Sequence, residues 1–159
     1  MSVFIYRKQT RIRRSADDVY AWHAAGGALQ KLIPPWQKVT VVMHEGLAEG
    51  SLAVLRLEFG PFRILWQALH KDIIPGRQFR DQQLAGPFKA WTHTHRMLPD
   101  GPDACWLEDE VQCELPGGAA INRLLRPLLR RNLERLFAYR HQATLKALSH
   151  PTTPLERAA

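Results

Sequence analysis

The strongest constraint on the fold is a change of hydrophobic period near the C-terminus. From about Ala119 to Leu148 the apolar residues recur with the 3.6-residue period of an α-helix, whereas residues 38–115 follow strand-like patterns. Such a helix is roughly 45 Å long at about 1.5 Å per residue, and Pro127 predicts a kink or a join within it. Its apolar stripe needs a concave partner, so the strands are expected to form a sheet that curls around the helix. The predicted stripe comprises Ile121, Leu125, Leu128, Leu129, Leu133, Leu136, Ala143 and Ala147.

Seven segments ahead of this helix have the alternation or the β-branched content of strands. They are Val3–Arg14, Lys38–His44, Leu52–Phe59, Phe62–Ile74, Gln78–Leu84, Lys89–Leu98 and Cys105–Leu115. Most of the connections between these segments contain glycine or proline. The connections are short enough for β-hairpins, which implies an antiparallel sheet.

Two short helices are expected after the first strand. Ser15, followed by Asp17 and Asp18, is typical of a helix start, because a hydroxyl and carboxylates suit the exposed amide groups there. The pair Gly26-Gly27 ends this helix, and residues 28–33 allow a second one. The predicted fold is therefore α+β, a curved seven-stranded antiparallel sheet wrapped around one long C-terminal helix, with two short helices after the first strand.

The length of 159 residues is sufficient for one domain, expected over residues 1–150, with residues 151–159 as a flexible tail. Cys105 and Cys113 belong to one predicted strand and lie roughly 26 Å apart at about 3.3 Å per residue, too far for a disulfide. Unpaired cysteines are typical of the cytoplasm, where we expect the protein. No segment reaches the ~18 consecutive apolar residues of a membrane span.

The formal charge of +7 comes largely from two arginine-rich segments, residues 7–14 and 123–135. A basic surface can attract nucleic acids or anionic membranes. No nucleic-acid-binding motif accompanies these segments, and the aromatic residues lie elsewhere. A solvated basic face is therefore favoured, and nucleic acid is not expected as a partner.

The clearest functional signal is the segment from Trp91 to His95. Strand alternation places Trp91, His93 and His95 on one face. Because the sheet is expected to cover a helix, that face is expected to point inward. An interior lined by indole and imidazole groups, rather than by aliphatic ones, indicates a pocket.

Neighbouring elements also carry polar residues at inward positions. The same parity argument places His70, Asp81 and Asp109 among inward apolar residues, while Arg140 falls on the apolar side of the long helix. A buried guanidinium without a carboxylate is costly, so Arg140 is expected to pair with Asp109 or Asp81. The hypothesised network comprises Asp81, His93, His95, Asp109 and Arg140, with Trp36, Trp66 and Trp91 as its apolar walls.

Three interpretations of this network stay open. It could simply fix the helix against the sheet, because buried polar groups are normally paired. It could form the polar end of a pocket that orients an amphipathic or aromatic ligand. It could hold a metal ion between His93 and His95, with His70 or Asp109 as a third ligand. Local spacing fixes no third ligand, so no metal and no other cofactor is expected.

An enzymatic role would need a histidine with an orienting carboxylate. His95 with Asp81 or Asp109 meets that requirement for a general acid or base. No serine or cysteine stands in a recognisable nucleophile setting. His23, beside Trp22 on the first short helix, is expected at the surface.

Six short stretches, in this order, resemble a bacterial subgroup of the START-like superfamily, which is also called SRPBCC or helix-grip and includes polyketide cyclase/dehydrase-like proteins. They are Leu32–Trp36 (LIPPW), Phe79–Gln83 (FRDQQ), Gly86–Phe88 (GPF), Trp91–His95 (WTHTH), Leu107–Asp109 (LED) and Leu136–His141 (LFAYRH). Members typically hold a hydrophobic cavity between the sheet and the C-terminal helix. Similar domains occur fused to sugar-nucleotide epimerase homologues of the short-chain dehydrogenase type.

The resemblance implies binding of a small hydrophobic or amphipathic molecule in that cavity, without an established reaction. The alternatives are a cyclase or dehydratase that uses a cavity histidine as acid or base, and a regulatory partner of a short-chain-dehydrogenase-type epimerase homologue. The candidate ligand-binding residues are Trp36, Trp66, His70, Asp81, Trp91, His93, His95, Asp109, Phe137 and Arg140.

Overall fold

The computed structural model describes residues 3–149 and has the predicted order of elements. These are β1 (Phe4–Ile12), α1 (Ala16–Ala24), α2 (Ala28–Lys31), β2 (Lys38–His44), β3 (Leu52–Phe59), β4 (Phe62–Ile74), β5 (Gln78–Ala85), β6 (Ala90–Pro99), β7 (Cys105–Glu114) and α3 (Gly118–Leu148). The expected tail, residues 151–159, lies outside the described residues.

The seven strands form one antiparallel sheet in the order β1-β7-β6-β5-β4-β3-β2. Strands β2 to β7 follow one another as hairpins, and β1 adds to the far edge beside β7. The helices α1 and α2 therefore connect the two edge strands of the sheet. The predicted α+β helix-grip architecture is confirmed.

The start of α1 follows the predicted capping chemistry. The backbone N–H of Asp18 donates to the Ser15 hydroxyl over 3.1 Å, and Asp17 and Asp18 occupy the first helical turn. Gly27 has a φ of 88°, a left-handed conformation that glycine adopts without strain. The chain can therefore turn there and begin α2 directly.

Helix α3 continues through Pro127 as one helix, so the proline does not divide it. Its buried side is rotated relative to the predicted stripe, because it follows Leu133, Phe137, His141 and Thr144. Leu128, predicted to face the sheet, is 56% exposed. Ile121, Leu125 and Ala147 of the predicted stripe are exposed as well, so the periodicity gave the helix correctly but its orientation wrongly.

Two apolar clusters fill the interior. The first comprises Phe4, Tyr6, Trp91, Val111, Cys113, Leu133 and Phe137. The second comprises Ile12, Ala16, Val19, Phe79, Met97, Cys105 and Leu107. Along β6, β7 and α3 the residues between the two clusters are polar and buried, namely His93, His95, Asp109 and His141.

Both cysteines are buried, and they form no disulfide with each other, in agreement with their predicted separation. Burial raises the pKa of each thiol to about 11, so both stay protonated and behave as small apolar groups. No helix within residues 3–149 is long and apolar enough to cross a membrane.

Candidate functional site

A belt of histidines and aspartates crosses the interior between the two apolar clusters. We call this set the polar belt, and it comprises His70, Asp81, His93, His95, Asp109 and His141. Direct cross-strand pairing builds it, because His70 lies opposite Asp81, Asp81 opposite His93 and His95 opposite Asp109. Partners opposite each other in a ladder share one face, so these side chains all point to the side that packs on α3.

Asp109 is the centre of the belt. Its Oδ1 lies 2.8 Å from His93 Nε2, and its Oδ2 lies 2.6 Å from His141 Nε2. The other ring nitrogen of His141 is 2.6 Å from the Thr10 hydroxyl. His95 Nδ1 is also 2.8 Å from Asp109 Oδ1, but it is not aligned for a hydrogen bond. Asp109 therefore links three histidines from two elements.

Asp81 contacts the histidines on the other side of the polar belt. Its Oδ1 is 2.6 Å from His70 Nδ1. Its Oδ2 is 3.4 Å from His95 Nε2 and 3.9 Å from His93 Nδ1. The Asp81 side chain is 22% exposed, against 4% for Asp109, so the belt reaches solvent at Asp81.

Both aspartates are ionised inside the protein. Burial alone would raise the pKa of Asp81, but hydrogen bonds from His70 and His95 outweigh it and hold the pKa below its ordinary value. Burial would likewise raise the pKa of Asp109, and the neighbouring histidines hold it well below its ordinary value.

The pKa values of His93 and His95 differ widely, although the centroids of the two rings are only 3.8 Å from each other. Burial alone would lower the pKa of His95, but Asp109 and Asp81 raise it to about 9. Burial lowers the pKa of His93 to about 4, and the positive charge of His95 adds to that effect. At neutral pH the pair therefore holds one imidazolium and one neutral imidazole.

Arg140 does not form the predicted ion pair. Within residues 3–149 no carboxylate oxygen lies within 4.0 Å of its guanidinium. The guanidinium instead lies over the ring of Phe137, 5.4 Å from the ring centroid. Burial lowers the pKa of Arg140, and Asp109 and Asp81 offset this only in part. The prediction fails because His141, one residue further along α3, takes the Asp109 oxygen.

Two histidines outside the predicted network also belong to this region. The predicted network lacks His141, yet this residue is fully buried on the line of Leu133 and Phe137, which recurs every four residues. His23 was expected at the surface but is buried, with its Nδ1 2.8 Å from the carbonyl oxygen of Val19. Its ring lies 6.0 Å from that of His95. The i, i+4 spacing on α3 was the available signal for His141.

The predicted tryptophan walls separate into two groups. Trp66 and Trp91 meet edge to face with centroids 5.1 Å apart, beside Phe137 in the first apolar cluster. Trp36 is 43% exposed and lies apart from this group. The Arg135 guanidinium lies 4.2 Å from its ring centroid, so Trp36 is a surface residue beside α3 rather than a wall of the belt.

The concave face at the far half of the sheet carries apolar side chains that are not fully buried. The helix packs mainly on β1 and β7, whereas β2, β3 and β4 extend beyond it. Val41 pairs with Leu55 and Leu55 with Trp66, so all three share the concave face. They stay only half-buried, as do Val39 and Ile64 on the same face. We call this apolar, open space the sheet–helix cavity.

The chain matches the family model described as polyketide cyclase/dehydrase and lipid transport over residues 12–138. It belongs to this family. The match includes the whole sheet except most of β1, and it reaches α3 as far as Ala138. No curated protein sequence matches the chain significantly.

Solved structures with the same fold include an aromatase/cyclase and a START superfamily protein. The Zhui aromatase/cyclase of a Streptomyces species superposes with a TM-score of 0.71 at 14% identity, over 91% of this chain and 93% of that chain. A START superfamily protein from Mycobacterium smegmatis gives 0.67 at 14% identity, over 91% and 97%. These likenesses establish the START-like fold of the chain.

A third structure contains the fold as part of a larger chain. A nucleoside-diphosphate sugar epimerase from Corynebacterium glutamicum has a TM-score of 0.72 at 23% identity, over 91% of this chain but 29% of that chain. A domain similar to this protein therefore stands beside other sequence in that epimerase, as the resemblance implied.

Proposed function

We propose that the protein binds a small hydrophobic or amphipathic molecule in the sheet–helix cavity. The observation that carries the proposal is the half-buried state of Val39, Val41, Leu55 and Ile64, which are apolar residues of the concave face that the rest of the chain does not cover completely. Concave apolar surfaces with a few polar groups are typical of small-molecule sites. The family description, which includes lipid transport, agrees with this chemistry.

Unpaired polar atoms near the cavity favour a ligand with a polar group. Trp66 Nε1, His70 Nε2 and Arg140 Nε are buried and have no hydrogen-bond partner among residues 3–149. Buried polar groups are normally satisfied, so a ligand atom or a water is expected to meet them. The guanidinium of Arg140 would suit an anionic group of the ligand.

The rim of the cavity carries exposed apolar side chains. Phe59 and Phe62, which flank the turn between β3 and β4, are exposed, and Leu124 near the start of α3 is 73% exposed. The sheet topology brings this turn and the start of α3 to the same end of the sheet. An apolar ligand would contact these exposed apolar side chains as it enters the cavity.

The test uses a matched pair of tryptophan substitutions on β4 with 1-anilinonaphthalene-8-sulfonate as the probe. Ile64 lies on the concave face and is half-buried, whereas Leu65 points outward and is exposed. Ile64→Trp should fill the cavity and weaken probe binding at least tenfold, while Leu65→Trp should leave it within twofold. Equal affinities in the two variants would contradict the proposal. Native mass spectrometry of the purified protein should also reveal a bound lipid-like molecule.

A second candidate function is a cyclase-type or dehydratase-type reaction. It is favoured by the neighbouring imidazolium of His95 and neutral imidazole of His93, since groups with pKa values pushed apart can serve as acid and base. Replacement of either histidine by Gln should then abolish turnover of a polyketide-like substrate but leave probe binding in the cavity largely intact.

A regulatory role beside an epimerase-type protein is a further possibility for the same domain. It is supported by the Corynebacterium glutamicum epimerase, in which a similar domain occupies 29% of the chain. Co-purification of the protein with a separate short-chain-dehydrogenase-type protein from its own host would support it.

A further inference from the structure

We propose that Asp81, His93 and His95 bind one divalent first-row transition-metal ion such as Zn²⁺. Their converging atoms are Asp81 Oδ2, His93 Nδ1 and His95 Nε2. The two nitrogens lie 3.9 Å and 3.4 Å from Asp81 Oδ2, and the ligand atoms of the three residues fall within 4.8 Å of one another. Ligand atoms in a tetrahedral zinc site are about 3.3 Å apart, so small side-chain movements would complete the set.

The opposite atoms of the same three residues are already held. Asp81 Oδ1 is 2.6 Å from His70 Nδ1, His93 Nε2 is 2.8 Å from Asp109 Oδ1, and His95 Nδ1 is 2.8 Å from the same oxygen. Metal-binding histidines usually donate their second ring N–H to a carboxylate, which orients the ring and fixes the tautomer. Asp109 thus holds the Nε2 side of the His93 ring, and the opposite nitrogens, His93 Nδ1 and His95 Nε2, both face Asp81. Binding of the ion would displace the proton that His95 Nε2 shares with Asp81.

The outer partners are themselves fixed. The second oxygen of Asp109 is 2.6 Å from His141 Nε2, and His141 is anchored on Thr10. The site thus has three ligands supported by a layer of polar residues from β1, β4, β7 and α3. Such preorganisation is what a metal site needs beyond its ligands. His70 and Asp109, which the sequence offered as third ligands, therefore hold the ligand residues in place and do not bind the ion themselves.

The ligand atoms and the solvent exposure of Asp81 agree with a metal ion that keeps free coordination positions. Two imidazole nitrogens and one carboxylate oxygen suit zinc and iron(II), and three protein ligands leave room for water or another molecule. The Asp81 side chain is 22% exposed, which provides a route for the ion.

The test is a titration of chelator-treated, full-length protein with ZnCl₂ by calorimetry and with CoCl₂ by visible absorption. The unmodified protein should bind one ion per chain, and cobalt should give the intense d–d bands of a tetrahedral or five-coordinate site. Asp81→Asn and His93→Gln should each weaken binding at least tenfold. Asp109→Asn should weaken it about ten- to a hundredfold, because the outer carboxylate is lost.

His44→Gln is the matched control, since His44 contacts the His70 ring but contributes no ligand atom, and it should bind as the unmodified protein does. Circular dichroism identifies any variant that fails to fold, in which case His95→Gln replaces it. Absence of a stoichiometric ion in the unmodified protein, or equal binding by Asp81→Asn and His44→Gln, would overturn the proposal. The titration needs no organic ligand, so its failure leaves the cavity proposal untouched.

Discussion

At the scale of single residues, Asp109 decides the electrostatics of the interior. It is almost inaccessible to solvent, and three histidines from β6 and α3 lie within 2.8 Å of its oxygens. A buried carboxylate of this kind is tolerated only because the positive or donating groups around it replace the lost hydration. Its negative charge also keeps His95 protonated, so one residue determines the protonation of its neighbours.

Asp109→Asn should therefore destabilise the protein by about 3 kcal/mol or more, because it leaves the His95 imidazolium buried without its main counter-charge. The free energy of unfolding, measured with urea, gives the comparison. Asp103→Asn is the control, since Asp103 is an exposed turn residue, and it should change stability by less than about 0.5 kcal/mol. Similar losses in both variants would show that the buried charge matters little.

His23 predicts a dependence of stability on pH. Burial lowers its pKa from 6.5 to about 4, and repulsion from His95 adds to this. Because the unfolded chain takes up the proton first, the free energy of unfolding should fall as the pH drops from about 6.5 to about 4, by up to about 3 kcal/mol from this group. Below the folded pKa the contribution is lost.

His23→Leu isolates that contribution. The variant loses the hydrogen bond to Val19 at every pH, so only the slope is diagnostic. Urea unfolding at pH 7 and pH 4.5 should show a smaller decrease in stability for the variant than for the unmodified protein. An unchanged slope would mean that His23 is protonated equally in the folded and unfolded states.

Strand parity located the polar belt from sequence because a β-sheet has only two faces. It placed His93, His95, Asp81 and Asp109 on the same face, and the register pairs them as neighbours. A helix offers no such binary choice, since neighbouring positions differ by about 100° around its axis. Arg140 and His141 are adjacent positions, and only the docked helix decides which of them reaches Asp109.

At the scale of elements, the orientation of α3 follows from what it can cover. Its buried line, from Leu133 through Phe137 and His141 to Thr144, faces β1 and β7. The predicted stripe assumed that all apolar residues on the helix are buried together. Leu125 and Leu128 instead stay exposed, because the helix docks on β1 and β7 through a different side. The apolar residues of the helix therefore include some that pack on the sheet and some that stay exposed. The sequence alone does not distinguish these two groups.

Two substitutions on α3 measure this division directly. Phe137 is fully buried against Tyr6 and His93, so Phe137→Ala should cost about 3–5 kcal/mol of folding free energy. Leu124→Ala removes a residue that is 73% exposed and should cost less than about 1 kcal/mol. Both values come from urea denaturation under identical conditions. Comparable losses would mean that the start of α3 is packed as tightly as its middle.

At the scale of the whole molecule, the cavity is a consequence of the topology. One helix packs mainly on β1 and β7 of a seven-stranded sheet, and part of the concave face of β2 to β4 stays only half-buried. The polar belt lies between the two apolar clusters and ends at solvent near Asp81. Apolar walls on one side and charged groups on the other favour a ligand with an apolar body and a polar end.

Arg140 gives this idea a test at the level of ligand selection. Its guanidinium has no carboxylate partner within the described residues, so an anionic group would gain charge-assisted hydrogen bonds that a neutral group would not. In Arg140→Gln the affinity for cis-parinaric acid should fall about tenfold, equivalent to about 1.4 kcal/mol, whereas the affinity for its methyl ester should stay the same. Arg131→Gln, on an exposed position of the same helix, controls for the loss of net charge. Fluorescence titrations of both probes supply the numbers. If the acid and the ester weaken together, Arg140 acts through packing on Phe137 rather than by pairing with the ligand's charge.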